Sequence, residues 1–302
     1  MRITNSMLSR LGVSQLAQNR SQLALTQERA ATGRRINRPS DDPIDYRAAR
    51  DVKTSVSETD RFMRAIDSSR SRIGATESAV SSVVQLLSEA RVRALEAAND
   101  TNDVTARPAI LIAVESLFDR LFEEGNAQSV DGGYLFSGLT STTPAFSRTG
   151  VFASGSPPPV VTFDGDGNQI AVEIDQNVYV DVTLDGSRVF QGGIDLFQTL
   201  GTLWTGIDQD DNALIQQALS EIEAAEDQVL SELARVGDSD ATADRFEERL
   251  LLRKEQLAER LSLIEDADVF QVYSDLASQE TALQASLQVT SSMLGPSLLD
   301  FI

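Results

Sequence analysis

Asp164, Asp166, Asn168 and Asp175 are the residues whose types and spacing come nearest to a chemical site, a loop of oxygen ligands for calcium. Such a loop needs Gly at its sixth position for the sharp turn and normally Glu at its twelfth, between two helices. Gln169 and Asp175 stand at those places, and the flanking residues alternate as strands do. The stretch reads as a solvated hairpin turn. A second cluster, Arg34, Arg35, Arg38, Arg47 and Arg50, could hold an anion. Ion pairing to Asp41, Asp42 and Asp45, or to acidic C-terminal helices, is the better account. Paired carboxylates of the glycosidase kind fall on predicted exposed helix faces with no aromatic platform beside them. The chain has no His and no Cys, which removes the base of Ser-His-Asp and Cys-His chemistry and the main ligands of zinc, copper and haem. No catalytic, cofactor-binding or metal-binding residue is assigned, no cofactor is expected, and the chain reads as a non-enzyme.

Composition points to long helices. The chain has 302 residues, 41% of them hydrophobic but only 6% aromatic, enough for one large or two to three small domains. A net charge of −20 makes nucleic acid an unsuitable partner, since phosphate binding needs a basic surface. The charge is also divided. Arg2, Arg10, Arg20, Arg29, Arg34, Arg35 and Arg38 face only Glu28 in the first 38 residues, and no Lys or Arg follows Arg260. A basic front and an acidic back attract when laid side by side, which sets orientation more than stability. No disulfide can form, no apolar run of 18 residues spans a membrane, and the start lacks an apolar signal core. Any exit from the cell is expected to use a route without a cleaved signal peptide.

Apolar stripes run along both ends. Ile3, Met7, Leu11, Leu16 and Leu23 recur at roughly helical spacing, and Val269, Leu276, Leu283, Leu287, Leu294 and Leu298 do the same. Such ends pack on each other, on copies of the chain, or both. From about 45 to 100, Val52, Thr59, Ile66, Ile73, Val80, Leu87 and Ala94 repeat every seven residues, with a half-apolar companion of Val56, Met63, Arg70, Glu77, Val84, Arg91 and Ala98. That helix would be about 80 Å long. Another is expected over about 105–126, with Pro108 in its first turn. Two late amphipathic stretches flank Gly237-Asp238-Ser239-Asp240, which reads as a turn or as a local break in one helix. The middle, about 139–206, looks β-rich. Val160–Phe163 and Gln169–Ile174 would pair across Asp164–Asn168, Val178 to Leu184 alternates as a strand, and Asp185-Gly186 offers a tight turn. Trp204 and Phe197 read as core residues closing this insert. Pro39 and Pro43 enforce a bend around Asp41 and Asp42, one of which caps the long helix.

Three segments in order carry a family resemblance. Thr32-Gly33 followed by Arg35-Ile36-Asn37-Arg38-Pro39-Ser40-Asp41-Asp42-Pro43 resembles the N-terminal signature of the flagellin family, in the form found in its hook–filament junction branch. Gly133-Tyr134-Leu135-Phe136-Ser137-Gly138, with Thr142-Thr143-Pro144-Ala145-Phe146 behind it, resembles the passage from helical core to β domain; Ala145 departs from the usual direct Pro-Phe pair. The run Gln279–Leu287 and the close Ser297-Leu298-Leu299-Asp300-Phe301-Ile302 resemble the branch's C-terminus.

The resemblance implies a structural component of the bacterial flagellum at the junction of hook and filament, a platform on which flagellin assembles. It implies extracellular placement after type III export, and as partners the chain itself, hook-associated protein 1, flagellin, and an export chaperone on the C-terminal segment. The expected fold is mainly α with a small β insert: a long antiparallel helical bundle or coiled-coil rod built from both chain ends. Residues 1–42 and 266–302 would form paired terminal helices, 43–138 and 207–265 a helical rod, and 139–206 a β-rich outer domain. Leu11, Leu16, Leu23, Leu276, Leu283, Leu287, Leu294 and Leu298 are the expected assembly residues, and Pro39, Asp41, Asp42 and Pro43 the inter-domain bend. A short filament flagellin is the nearest alternative, and a non-exported coiled-coil scaffold the next.

Overall fold

A computed structural model describes residues 5–99 and 107–294. Its elements, in chain order, are α1 (Asn5–Thr32), α2 (Pro43–Ala98), α3 (Arg107–Gly125), β1 (Phe146–Thr149), β2 (Val160–Phe163), β3 (Ala171–Asp175), β4 (Val178–Asp181), α4 (Gly186–Gln191), α5 (Leu196–Gln209), α6 (Asn212–Glu265) and α7 (Val269–Leu294). The fold is mainly α with two small antiparallel sheets, and the helices from the two ends of the chain pair with each other. The chain divides into two compact units, one of Met1–Glu58 with Leu252–Ile302 and one of Thr59–Leu251. Among the described residues no helix is long and apolar enough to cross a membrane.

The seven-residue repeat of α2 is buried throughout, with Val52, Thr59, Ile66, Ile73, Val80, Leu87 and Ala94 each at 4% exposure or less. The expected companion row is not the second buried one. Phe62, Ser69, Thr76, Val83 and Ala90 fill the core instead, while Glu77 and Arg91 stay exposed. Three-and-four spacing from the first row selects this set, and its two hydroxyls are satisfied within the helix: Ser69 Oγ donates to the Ala65 carbonyl at 2.7 Å and Thr76 Oγ1 to that of Arg72 at 2.9 Å. Arg70 and Arg91 of the expected row work as edge cations. Arg70 pairs with Asp244 and Glu247, and Arg91 Nη2 donates to Glu223 at 2.7 Å, so α6 runs antiparallel to α2. Ile215, Ala218, Ile222, Ala225, Val229, Val236, Ala243 and Leu250 form the buried row of α6. That helix is continuous across Gly237–Asp240, so the turn reading of that stretch gives way to the unbroken one.

The second unit also holds the aromatic core. The Phe146 ring lies 5.3 Å from Phe163, 5.1 Å from Phe190 and 5.4 Å from Phe197. Asn126 fixes β1 against the end of α3, accepting from Phe146 N at 2.9 Å and donating to its carbonyl at 3.1 Å. Trp204 and Phe197 are buried as expected and are carried by α5; Trp204 Nε1 donates to Glu115 at 3.0 Å.

The strand pairing differs from the expected hairpin. β2 pairs with β1, Phe163 opposite Phe146, and β3 pairs with β4 through a turn at Asn177, whose φ is 58°. Asp164–Asn168 therefore links two hairpins instead of closing one. Asp166 explains it: its carboxylate accepts from Leu139 N at 3.1 Å and Asn168 N at 3.0 Å, tying the loop to the segment after Gly138. Gly138 has a φ of 75°, and a Cβ there would strike that carboxylate. Asp175 points away and is paired with Arg249. Asp185-Gly186 starts a helix rather than a turn, with Asp185 Oδ1 accepting from Ser187 N at 2.9 Å.

Candidate assembly surface on the paired terminal helices

The terminal helices are joined at a stitched knuckle. After α1, Gly33 takes the left-handed conformation, φ 68°, that ends helices economically. The next residues lie beside the link between α6 and α7. Arg35 N donates to the Glu265 carbonyl at 2.7 Å, and Ala267 N to that of Gly33 at 2.9 Å. Glu265 is 6% exposed and holds Lys53 Nζ at 2.7 Å and Arg34 Nη1 at 3.5 Å. Asp268 opens α7 as its cap, accepting from Phe270 N at 2.9 Å.

The Pro-Ser-Asp-Asp-Pro stretch completes the knuckle. Asp41 Oδ2 accepts from Asn37 N at 3.0 Å and Arg38 N at 2.9 Å. Asp42 Oδ1 accepts from Ile44 N and Asp45 N, both at 3.1 Å, which makes it the cap of α2 with Pro43 as the first helical residue. These bonds hold both carboxyls below the usual aspartate range: for Asp41 through the Arg38 and then the Asn37 amide, for Asp42 chiefly through the Asp45 amide. Arg35 reaches Asp45 at 2.5 Å, Asp42 at 3.5 Å and the Ile264 carbonyl at 2.9 Å. The Asp45 bond is the main cause that holds its guanidinium above the ordinary value. Much of the arginine cluster thus serves ion pairs; Arg38 binds Glu28 at 3.0 Å.

α1 and α7 pack along a three-and-four seam. Gly12, Leu16, Asn19, Leu23 and Thr26 are the less exposed positions of α1, and Val272, Leu276, Gln279, Leu283, Ser286 and Thr290 those of α7. Asn19 Nδ2 donates to Ser286 Oγ at 2.7 Å, which fixes the antiparallel register. The carbonyl oxygen of Gln279 is buried without a partner. Leucine counting alone misses these polar members; the spacing finds them. Of the leucines singled out above, Leu16, Leu23, Leu276 and Leu283 lie in the seam. Leu11 and Leu287 are exposed, at 68% and 43%, along with Met7, Phe270, Tyr273 and Val289. Leu294 ends α7, whereas Ile3 and Leu298 fall outside the described residues. Leu11, Gln15, Ala285 and Val289 line an open, mostly apolar groove of about 340 Å³. Among the described residues no ion pair links α1 to α7, although one is basic and the other acidic.

Residues 3–141 match the model of the bacterial flagellin N-terminal helical region. The chain is 22% identical to flagellar hook-associated protein 3 of Salmonella typhimurium, over 99% of its own length and 98% of the relative's. Identity to the protein of that name from Escherichia coli is 21%, again over 99% and 98%. Among solved structures, the flagellar junction protein of Legionella pneumophila superposes with a TM-score of 0.60 at 14% identity, over 72% of this chain and 99% of that one. Over residues 3–141 the chain is similar to the flagellin N-terminal helical region, and over 99% of its length it is similar to flagellar hook-associated protein 3.

Proposed function

We propose that this chain is a structural, non-enzymatic component of the flagellum that forms the junction between hook and filament and presents the surface on which flagellin assembles. The full-length similarity to hook-associated protein 3 carries the reading, and the exposed apolar residues of α1 and α7 support it, because contiguous exposed apolar surface marks an interaction site. Leu16, Leu23, Leu276 and Leu283 hold the helix pair; Leu11 and Leu287 face neighbouring molecules, and Leu294 and Leu298 are assigned to the same assembly role. Residues 1–42 and 266–302 act as the inner assembly domain, 43–138 and 207–265 as the helical part beyond it, and 139–206 as the outer β-rich domain, with the bend at Pro39–Pro43. Hook-associated protein 1 and flagellin are the neighbours, a chaperone on the C-terminal segment delivers the chain, and export follows the flagellar type III route to the cell exterior.

Deletion of the coding sequence tests this. Hooks without filaments, with flagellin released to the medium, are the expected outcome; normal filaments overturn the proposal. The flagellin alternative draws on a match to flagellin B of Helicobacter pylori, 24% identical over 45% of this chain and 27% of that one. Adding purified chain to filament seeds separates the two, since a filament subunit elongates them without limit.

A further inference from the structure

We infer that the antiparallel pair of α2 and α6 carries a hinge, a waist at which both helices open and bend together while the segments on either side stay packed. This hinge is independent of the assembly role proposed above. Two glycines mark the place. Gly74 sits near the middle of α2 and Gly237 near the middle of α6; both are exposed, and a Cβ added at either meets nothing within 4 Å. Neither serves close packing, a tight turn or a left-handed φ. What remains is the cost of glycine itself, about a fivefold loss in the helix equilibrium relative to alanine.

The glycines share a level. Arg70 pairs with Asp244 and Glu247, and Arg91 with Glu223 and Glu226. A step along α2 is therefore an equal step back along α6, which sets Gly74 and Gly237 within about two turns of each other. One cavity of about 430 Å³ touches the neighbours of both, with Ile73 and Thr76 on one side and Val236 and Asp238 on the other. The same level is weak in other ways. Ser69 and Thr76 occupy core positions and return their hydroxyls to carbonyls four residues back, a bond that loosens and bends helices. Asp238, Ser239 and Asp240 follow Gly237 with side chains that compete for backbone groups, and Gly with Ser is a recurrent site of helix kinks. α3, which thickens the core further along, stops short: its Arg120 meets Glu89, its Glu124 meets Ser82, and it ends at Gly125 before reaching Gly74. In its place lie that cavity and a second of about 400 Å³, lined by Ser68, Ser69 and Arg72 and by Ile170 and Val172. Local opening takes place where buried apolar contact is sparse. Because the weak points share a level, neither helix braces the other.

The chain has no cysteine, so spin labels go cleanly onto Arg64→Cys and Gln85→Cys, exposed positions of α2 on either side of Gly74. In the full chain, pulsed dipolar spectroscopy should give distances extending below the ~32 Å of a straight helix, and Gly74→Ala/Gly237→Ala should collapse them onto that value. Amide hydrogen exchange gives a second reading that needs no label. Amides of residues 71–78 and 234–241 should exchange at least about tenfold faster than those of 83–90 and 222–229. The double alanine variant should slow them about fivefold in each helix and leave the flanks unchanged. A single narrow distance in the chain with both glycines, a waist as protected as its flanks, or alanines that slow exchange evenly along both helices overturns the hinge. Circular dichroism verifies that each variant keeps its helix content.

Discussion

Single side chains of the knuckle and the seam make opposite contributions. Asp268 caps α7 through two amides, and Asp268→Ala is expected to lower stability by about 1 kcal/mol, read as an earlier loss of helical circular dichroism. Gln279 buries a carbonyl oxygen with no partner, so Gln279→Leu should raise stability by about 1 kcal/mol; a lower melting temperature would count against the seam as described. Asp41 and Asp42 have lowered pKa values in the fold. Their contribution is complete above the ordinary aspartate range near ~3.9 and disappears as pH falls through the lowered values. Asp41→Asn/Asp42→Asn should therefore lose less stability than wild type between neutral and acid pH, measured by denaturant titration at each pH.

At the scale of elements, α2 shows how much of the fold was legible and where reading stopped. The row from Val52 to Ala94 is apolar but for Thr59, and its burial follows from periodicity alone. The second row hid because Ser69 and Thr76 look polar in a hydropathy count, although each returns its hydroxyl to its own helix. A companion row four residues on places Arg70 and Arg91 where Ser69 and Ala90 belong. Ile66→Ala should cost about 2–5 kcal/mol and Glu77→Ala within about 0.5 kcal/mol, measured by thermal melting; similar costs for both would contradict the assignment. The β pairing failed for another reason. Strand alternation marks β2, β3 and β4 but not β1, and the partner of β2 depends on Asp166 reaching Leu139, a contact between segments that local pattern does not encode. The assembly residues were half legible: stripes of leucine located the helices, and only packing separated seam positions from outward ones.

The molecule as a whole offers a convenient probe. Trp204 is the single tryptophan, buried in the second unit, so its fluorescence reports that unit alone while circular dichroism reports every helix. The first unit has a seam interrupted by Asn19, Ser286 and Gln279 and little aromatic content, against the dense phenylalanine core of the second. Its helices should melt first, giving a loss of helical signal before any change in fluorescence; coincident transitions would show a single cooperative body.

The stitched knuckle also constrains how the molecule comes into being. Gly33 and Arg35 are bonded to residues that follow more than two hundred positions later, and among the described residues α1 packs chiefly on α7. During vectorial synthesis α1 is made early and its partner last. No local contact can rescue it meanwhile, because contacts between distant segments wait for loop closure. Throughout elongation the first helix stays an unmatched strip of leucine and arginine, open to whatever factors attend the nascent chain, and the first unit closes as a post-translational event.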